Sequence, residues 1–140
     1  MNTRTRDNLM TSLHGEAFAY AKYMLYAEHA RRAGRHELAK LFEETARTEL
    51  FEHFAEEAEL AGIIGHDTDN VRDAIGGESY EIETMYREFA EQARVAGDHA
   101  AADRFEEVRR DEMAHREAFK VALRHMDPAS LISGARSTLP

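Results

Sequence analysis

Four glutamates and a histidine stand out by type and spacing. Gly15-Glu16 is followed 33 residues later by Glu49, and Gly77-Glu78 is followed 34 residues later by Glu112, with His115 three residues beyond. Carboxylates recurring in this way, with an imidazole beside one of them, form the skeleton of a two-metal site. Oxygen-rich ligation with one or two nitrogens suits iron or manganese better than copper or a thiolate-loving metal. Two such ions a few ångströms apart can deliver two electrons at once.

The elements that must position these residues follow from a repeat. Ala30-Arg31, Gly34, Phe42, Glu43 and Glu44 recur at constant offset as Ala93-Arg94, Gly97, Phe105, Glu106 and Glu107, so the chain reads as a duplicated helical hairpin. Gly34 and Gly97 are the helix-ending turns. Eighteen residues separate Glu16 from Gly34, and 15 separate Gly34 from Glu49. At about 1.5 Å of rise per residue the arms are roughly 27 and 22 Å, which returns both carboxylates to one level. The second hairpin repeats this with 19 and 15 residues. Two hairpins packed together bring four glutamates to one layer of an all-α four-helix bundle. Helices are expected at roughly 5–33, 36–61, 69–96 and 98–126, with Asp98 capping the last.

Burial makes the glutamates unusual. Phe105, Val108, Glu112, His115, Phe119 and Ala122 form one core-facing stripe on the fourth helix, Leu13, Glu16, Tyr20, Tyr23 and Ala27 one on the first, and Leu38, Phe42, Thr45 and Glu49 one on the second. A buried carboxylate must be neutralised, and no Lys or Arg stands in the stripes to do so. Glu43, Glu44, Glu56, Glu57, Glu106 and Glu107 read instead as solvated or ion-paired glutamates.

Composition narrows the function. The 140-residue length suits one small domain, read as 1–127, with a tail at 128–140 that begins Asp127-Pro128. No apolar run is long enough to span a membrane and no secretory leader is visible, so a soluble cytoplasmic protein is expected. The absence of cysteine excludes disulfides, thiolate zinc sites, iron–sulfur clusters and a catalytic thiol. Any electron donor is therefore another molecule. A formal net charge of −9 with no basic stripe argues against nucleic acid.

Gly77-Glu78-Ser79-Tyr80-Glu81, continuing through Thr84-Met85-Tyr86 and Phe89-Ala90, together with Asp111-Glu112-Met113-Ala114-His115, resembles the ferritin-like diiron domain of the rubrerythrin family. The likeness covers nearly all of residues 5–126 and is nearest the short erythrin or sulerythrin type that lacks a rubredoxin domain. It implies that Glu49 and Glu112 bridge two irons, that Glu16 and Glu78 are terminal ligands, and that His115 binds one iron. It further implies that Glu81 is the family's extra glutamate and that Tyr23 and Tyr86 lie near the cluster; ordinary core packing explains the two tyrosines nearly as well. The activity it implies is hydrogen peroxide reduction, with a rubredoxin-like protein or flavoprotein as external donor.

One position departs from the family pattern. Where a second Glu-x-x-His is usual, the residue three after Glu49 is Glu52, with His53 beside it. Spacing favours Glu52 as the ligand; His53 is the alternative if the helix is overtwisted or bulged. Two other functions use the same sequence: a ferroxidase or iron-handling protein that takes dioxygen, and a non-enzymatic helical interaction module with a solvated Glu layer. The link between hairpins, near Gly62 to Asp67, is short for a chain that must return along a bundle. A domain-swapped homodimer is therefore expected, unless the third helix starts only at Gly76-Gly77.

Overall fold

A computed structural model describes residues 1–126, all of them in four long helices or the short connections between them. Residue 127 and the tail at 128–140 lie outside the described residues. The first helix runs Thr3–Arg32 unbroken. The second covers residues 36–61 as α-helix His36–Thr48, a π-helical stretch Glu49–Phe54 and α-helix Ala55–Ala61. The third covers residues 67–96 as Asp67–Tyr80, a π-helical stretch Glu81–Met85 and Tyr86–Ala96. The fourth is His99–Met126. Among the described residues there is no strand, and no helix is long and apolar enough to cross a membrane. Among the described residues the fold is all-α.

Local chemistry sets the ends. Asn2 caps the first helix, its Oδ1 accepting from the Thr5 N–H at 2.8 Å. Gly34 and Gly97 take left-handed φ of 71° and 83°, which glycine tolerates without a Cβ clash. After each glycine the chain closes the helix with paired backbone bonds, Gly97 N–H to Arg94 O at 3.1 Å and Asp98 N–H to Ala93 O at 2.9 Å. Gly62, at φ 67°, ends the second helix in the same way. The third helix then begins at Asp67, not at Gly76-Gly77, and runs through both glycines. Asn70 fixes that start: its side chain bonds the Gly65 N–H at 2.8 Å and the Gly65 carbonyl at 3.0 Å.

The chain divides after Ile64 into two hairpins. In the first, Leu9, Leu13, Ala58 and Ala61 form a buried cluster with Met10 and Phe54 against it. Nearer the turn, Tyr23, Tyr26 and Phe42 make an aromatic trio with centroids 5.4 to 6.3 Å apart. In the second hairpin Tyr86, Phe89 and Phe105 make the equivalent trio, and Ile82, Ala90, Ala93 and Ala102 are buried. The repeat extends to charge, since Arg31 pairs with Glu43 and Arg94 with Glu106. These ion pairs are largely exposed and contribute little to stability. Glu44 and Glu107 also pair at the surface, as expected from the sequence. Glu57 does not behave as a solvated residue: it accepts from Ser12 Oγ at 2.9 Å, and its Oε2 is buried without a donor.

A hairpin alone has little interior. The stripe residues expected to face a core, among them Tyr23, Phe42, Phe105 and Phe119, are only half-buried. Phe18, Leu25, Leu41 and Phe51 in the first hairpin and Val95 in the second are exposed.

Candidate metal centre

Each hairpin brings two carboxylates and an imidazole together at the level that the glycine turns dictate. In the first, Glu16, Glu49 and His53 each offer a ligand atom, all within 4.8 Å of one another. His53 Nδ1 lies 2.8 Å from Glu49 Oε2 and 3.8 Å from Glu16 Oε2. In the second, Glu78, Glu112 and His115 do the same, with His115 Nδ1 2.5 Å from Glu112 Oε2. The four carboxylates are half-buried and both histidines are exposed.

The electrostatics are those of anions held too close. A hydrogen bond shared with Glu49, then desolvation, raises the Glu16 pKa above the ordinary carboxylate range. Burial, followed by a hydrogen bond with Glu112, raises that of Glu78. His53 and His115 are raised in turn by their bonds to Glu49 and Glu112. Glu78 Oε2 is buried with no hydrogen-bond donor. Crowded carboxylates, an oxygen lacking a donor and an imidazole nitrogen in reach suit a hard or borderline divalent cation, so the residues of each group fit an iron or manganese ion.

The second helix differs from the simplest reading of the sequence. The group on the first hairpin contains His53 and not Glu52. The reason is the π-helical stretch at Glu49–Phe54, where the Ala55 N–H reaches back five residues to the Leu50 carbonyl. A π turn adds one residue to the helix without ending it. The fourth residue after Glu49 therefore takes the place that the third residue after Glu112 takes in an uninterrupted α-helix. The sequence carries the trace of this. Glu49 and Glu112 are offset by 63 residues, whereas His53 and His115 are offset by 62.

The third helix holds the matching slip. Glu16 and Glu78 are offset by 62, Tyr23 and Tyr86 by 63, and the π turn Glu81–Met85 lies between. Glu81 opens that turn, half-buried, and is not a member of either three-residue group. Its charge acts on both Glu78 and Tyr86. Tyr86 is raised chiefly by burial and then by Glu81 and Glu112, so its hydroxyl keeps its proton. Tyr23 sits in the aromatic trio of its own hairpin. Two residues that spacing did not single out, Arg109 and Arg116, bond the third helix at its π turn. Only the register slip between the repeats marks that turn in the sequence.

Known proteins resemble the chain over most of its length. The family described as rubrerythrin matches residues 7–53 and 49–123. Rubrerythrin of Porphyromonas gingivalis is 30% identical over 141 residues, covering 92% of this chain and 70% of the relative. Nigerythrin of Nitratidesulfovibrio vulgaris is 31% identical over 136 residues, 88% of this chain and 67% of the relative. Rubrerythrin of the same organism is 31% identical over 130 residues, 84% and 68%.

The raised groups all bind protons more tightly in the fold than in the open chain. For Glu16 and Glu78 this favours the metal-free fold while they are protonated, and the advantage fades as pH rises through their folded-state pKa values. For His53 and His115 it is fully present below about pH 6.5 and is lost as pH passes their raised values. A metal ion must displace these protons. Anaerobic ferrous titrations should therefore show binding that tightens from pH 5.5 to pH 7.5 and releases protons to the buffer. Affinity independent of pH would contradict the crowded-anion site.

Proposed function

This chain belongs to the rubrerythrin family, and on that premise we propose that its two Glu/His groups together hold a diiron centre that reduces hydrogen peroxide to water. The observation that carries the reading is the recurrence, once in each hairpin, of a crowded group, Glu16/Glu49/His53 and Glu78/Glu112/His115, in which the pKa of Glu16 and that of Glu78 are raised. Glu49 and Glu112 would be the carboxylates shared between the metals, as the family resemblance implies, and Glu16 and Glu78 the unshared ones. His115 would bind one iron, and His53, brought beside Glu16 and Glu49 along its π-helical stretch, would bind at the second-helix position in place of Glu52. Manganese or a mixed pair would fit the same ligands.

When bound, the two metals supply the two electrons that split the O–O bond, and an external rubredoxin-like protein or flavoprotein returns them. The reduction also consumes two protons for two waters. Tyr86, held protonated by burial and by the nearby carboxylates, is placed to give or relay one, with Glu81 beside it. Tyr23 occupies the repeat-related place in the first hairpin, and its role as a second donor rests on that relation. An interaction module with a solvated Glu layer has no need to hold carboxylates within hydrogen-bonding reach of each other.

The linker favours a swapped homodimer. Only residues 62–66 separate the second helix from the third, and fully extended they span about 18 Å. The second helix continues 12 residues past Glu49 and the third begins 11 before Glu78, so a parallel return along one bundle needs roughly 35 Å. Pairing the first hairpin of one chain with the second of another removes that demand.

Three outcomes are expected. His53→Ala should weaken binding of one metal by roughly tenfold or more, and more than Glu52→Ala does, in anaerobic titration; the reverse order would restore Glu52 as ligand. In stopped flow the diferrous protein should react with hydrogen peroxide at least about tenfold faster than with dioxygen; equal or reversed rates would point to a ferroxidase. Refolding Glu49→Ala chains together with Glu112→Ala chains should restore activity, because a swapped heterodimer keeps one intact site. Absence of rescue, or a monomeric metal-loaded protein, would rule out the swap.

A further inference from the structure

The π turn of the third helix is fastened from outside. In an unbroken α-helix the Tyr86 N–H would donate to the Ile82 carbonyl; here it donates to the Glu81 carbonyl. Ile82 is 2% exposed, so the oxygen that loses this donor lies at a buried residue. Arg109 of the fourth helix supplies the replacement, its Nε donating to Ile82 O at 2.7 Å. A charged donor makes this a strong bond for a carbonyl that would otherwise be buried with one partner fewer. Two helical turns further on, Arg116 donates to Glu83 Oε1 at 2.8 Å and approaches Ser79 Oγ at 3.5 Å. The turn is thus held on both sides, just before and just after Glu81.

The repeat provides an internal control. In the first hairpin the counterpart of Arg109 is Ala46 and that of Arg116 is Phe54. The helix that those residues accompany, Thr3–Arg32, has no π turn. Both arginines therefore occur only in the hairpin whose first helix carries the extra residue.

We infer that Arg109 is a positioning residue: by occupying the Ile82 carbonyl it pins the one-residue insertion in place and so sets where the Glu81 carboxylate stands relative to Glu78, Glu112 and His115. An inserted residue is not tied to one place by the helix itself, because the bulge can pass along the turn as successive N–H groups change partners. Its location decides which side chain between Glu78 and Tyr86 turns toward the cluster. The part of the inference that concerns Glu81 as a ligand rests on the diiron reading; the pinning of the turn does not.

The test compares Arg109→Met and Arg109→Lys in the full-length protein and in a background lacking Glu83, an exposed residue whose deletion removes the insertion. Backbone amide exchange in the metal-free protein reads the turn, and the circular dichroism of the ferrous-loaded protein reads the ligand set. Arg109→Met should speed exchange at Tyr86 and Arg87 by about tenfold and alter the ferrous spectrum, with Arg109→Lys recovering part of both. In the deletion background the same change should leave exchange at these amides unaltered. Unchanged exchange in the full-length protein, or equal acceleration with and without the insertion, would overturn the pinning. Faster exchange with an unaltered ferrous spectrum would overturn the link to Glu81 and leave the diiron reading standing. Failure of the wild-type protein to bind iron would remove that reading while the exchange comparison still decides the pin.

Discussion

Carboxylates held within hydrogen-bonding distance of one another are the constraint that the rest of the molecule serves. Glu16 against Glu49, and Glu78 against Glu112, is an arrangement that an isolated helix surface avoids, because each anion raises the cost of ionising its neighbour. Without metal, protons relieve that cost. With metal, the cation does so, and the repulsion that opposes the empty site becomes the affinity of the filled one. The long helices and the left-handed glycines at 34 and 97 keep the pairs level. The aromatic trios lie in each hairpin between the carboxylates and the turn and lock the two helices in register.

Much of this was legible in the sequence because it depends on periodicity and on glycine. The hairpins, their turns and the matching level of the two glutamates within each hairpin follow from residue counts at fixed rise. The two π turns were not legible in the same way. Leu50, Phe51 and Glu52 in one stretch and Ile82, Glu83 and Thr84 in the other carry no proline and no glycine, and nothing in their types distinguishes an inserted residue from an ordinary helical one. Only the slip in offset between the repeats records the insertions. Strict α-helical spacing therefore points to Glu52, and the structure brings His53 instead beside Glu16 and Glu49. Glu57 escaped for a different reason: its partner, Ser12, is 45 residues away, and no local pattern shows that the carboxylate turns inward.

The two hairpins have diverged where chemistry asks for asymmetry. The insertion in the first hairpin follows Glu49 and brings His53 beside the carboxylate pair; the insertion in the second follows Glu78 and opens with Glu81. A duplicated unit with identical halves would offer each metal the same ligands. Moving one extra residue to different helices gives the two hairpins different side chains beside their carboxylates, at the cost of a carbonyl that needs a new donor. Arg109 meets that need in the second hairpin.

The most direct test of the account is Mössbauer spectroscopy of protein loaded anaerobically with iron-57 and then oxidised with peroxide. The account expects two irons per chain, at unlike sites, that form an antiferromagnetically coupled diferric pair. A single iron per chain, or two irons with no coupling between them, would contradict a carboxylate-bridged centre built from the two Glu/His groups.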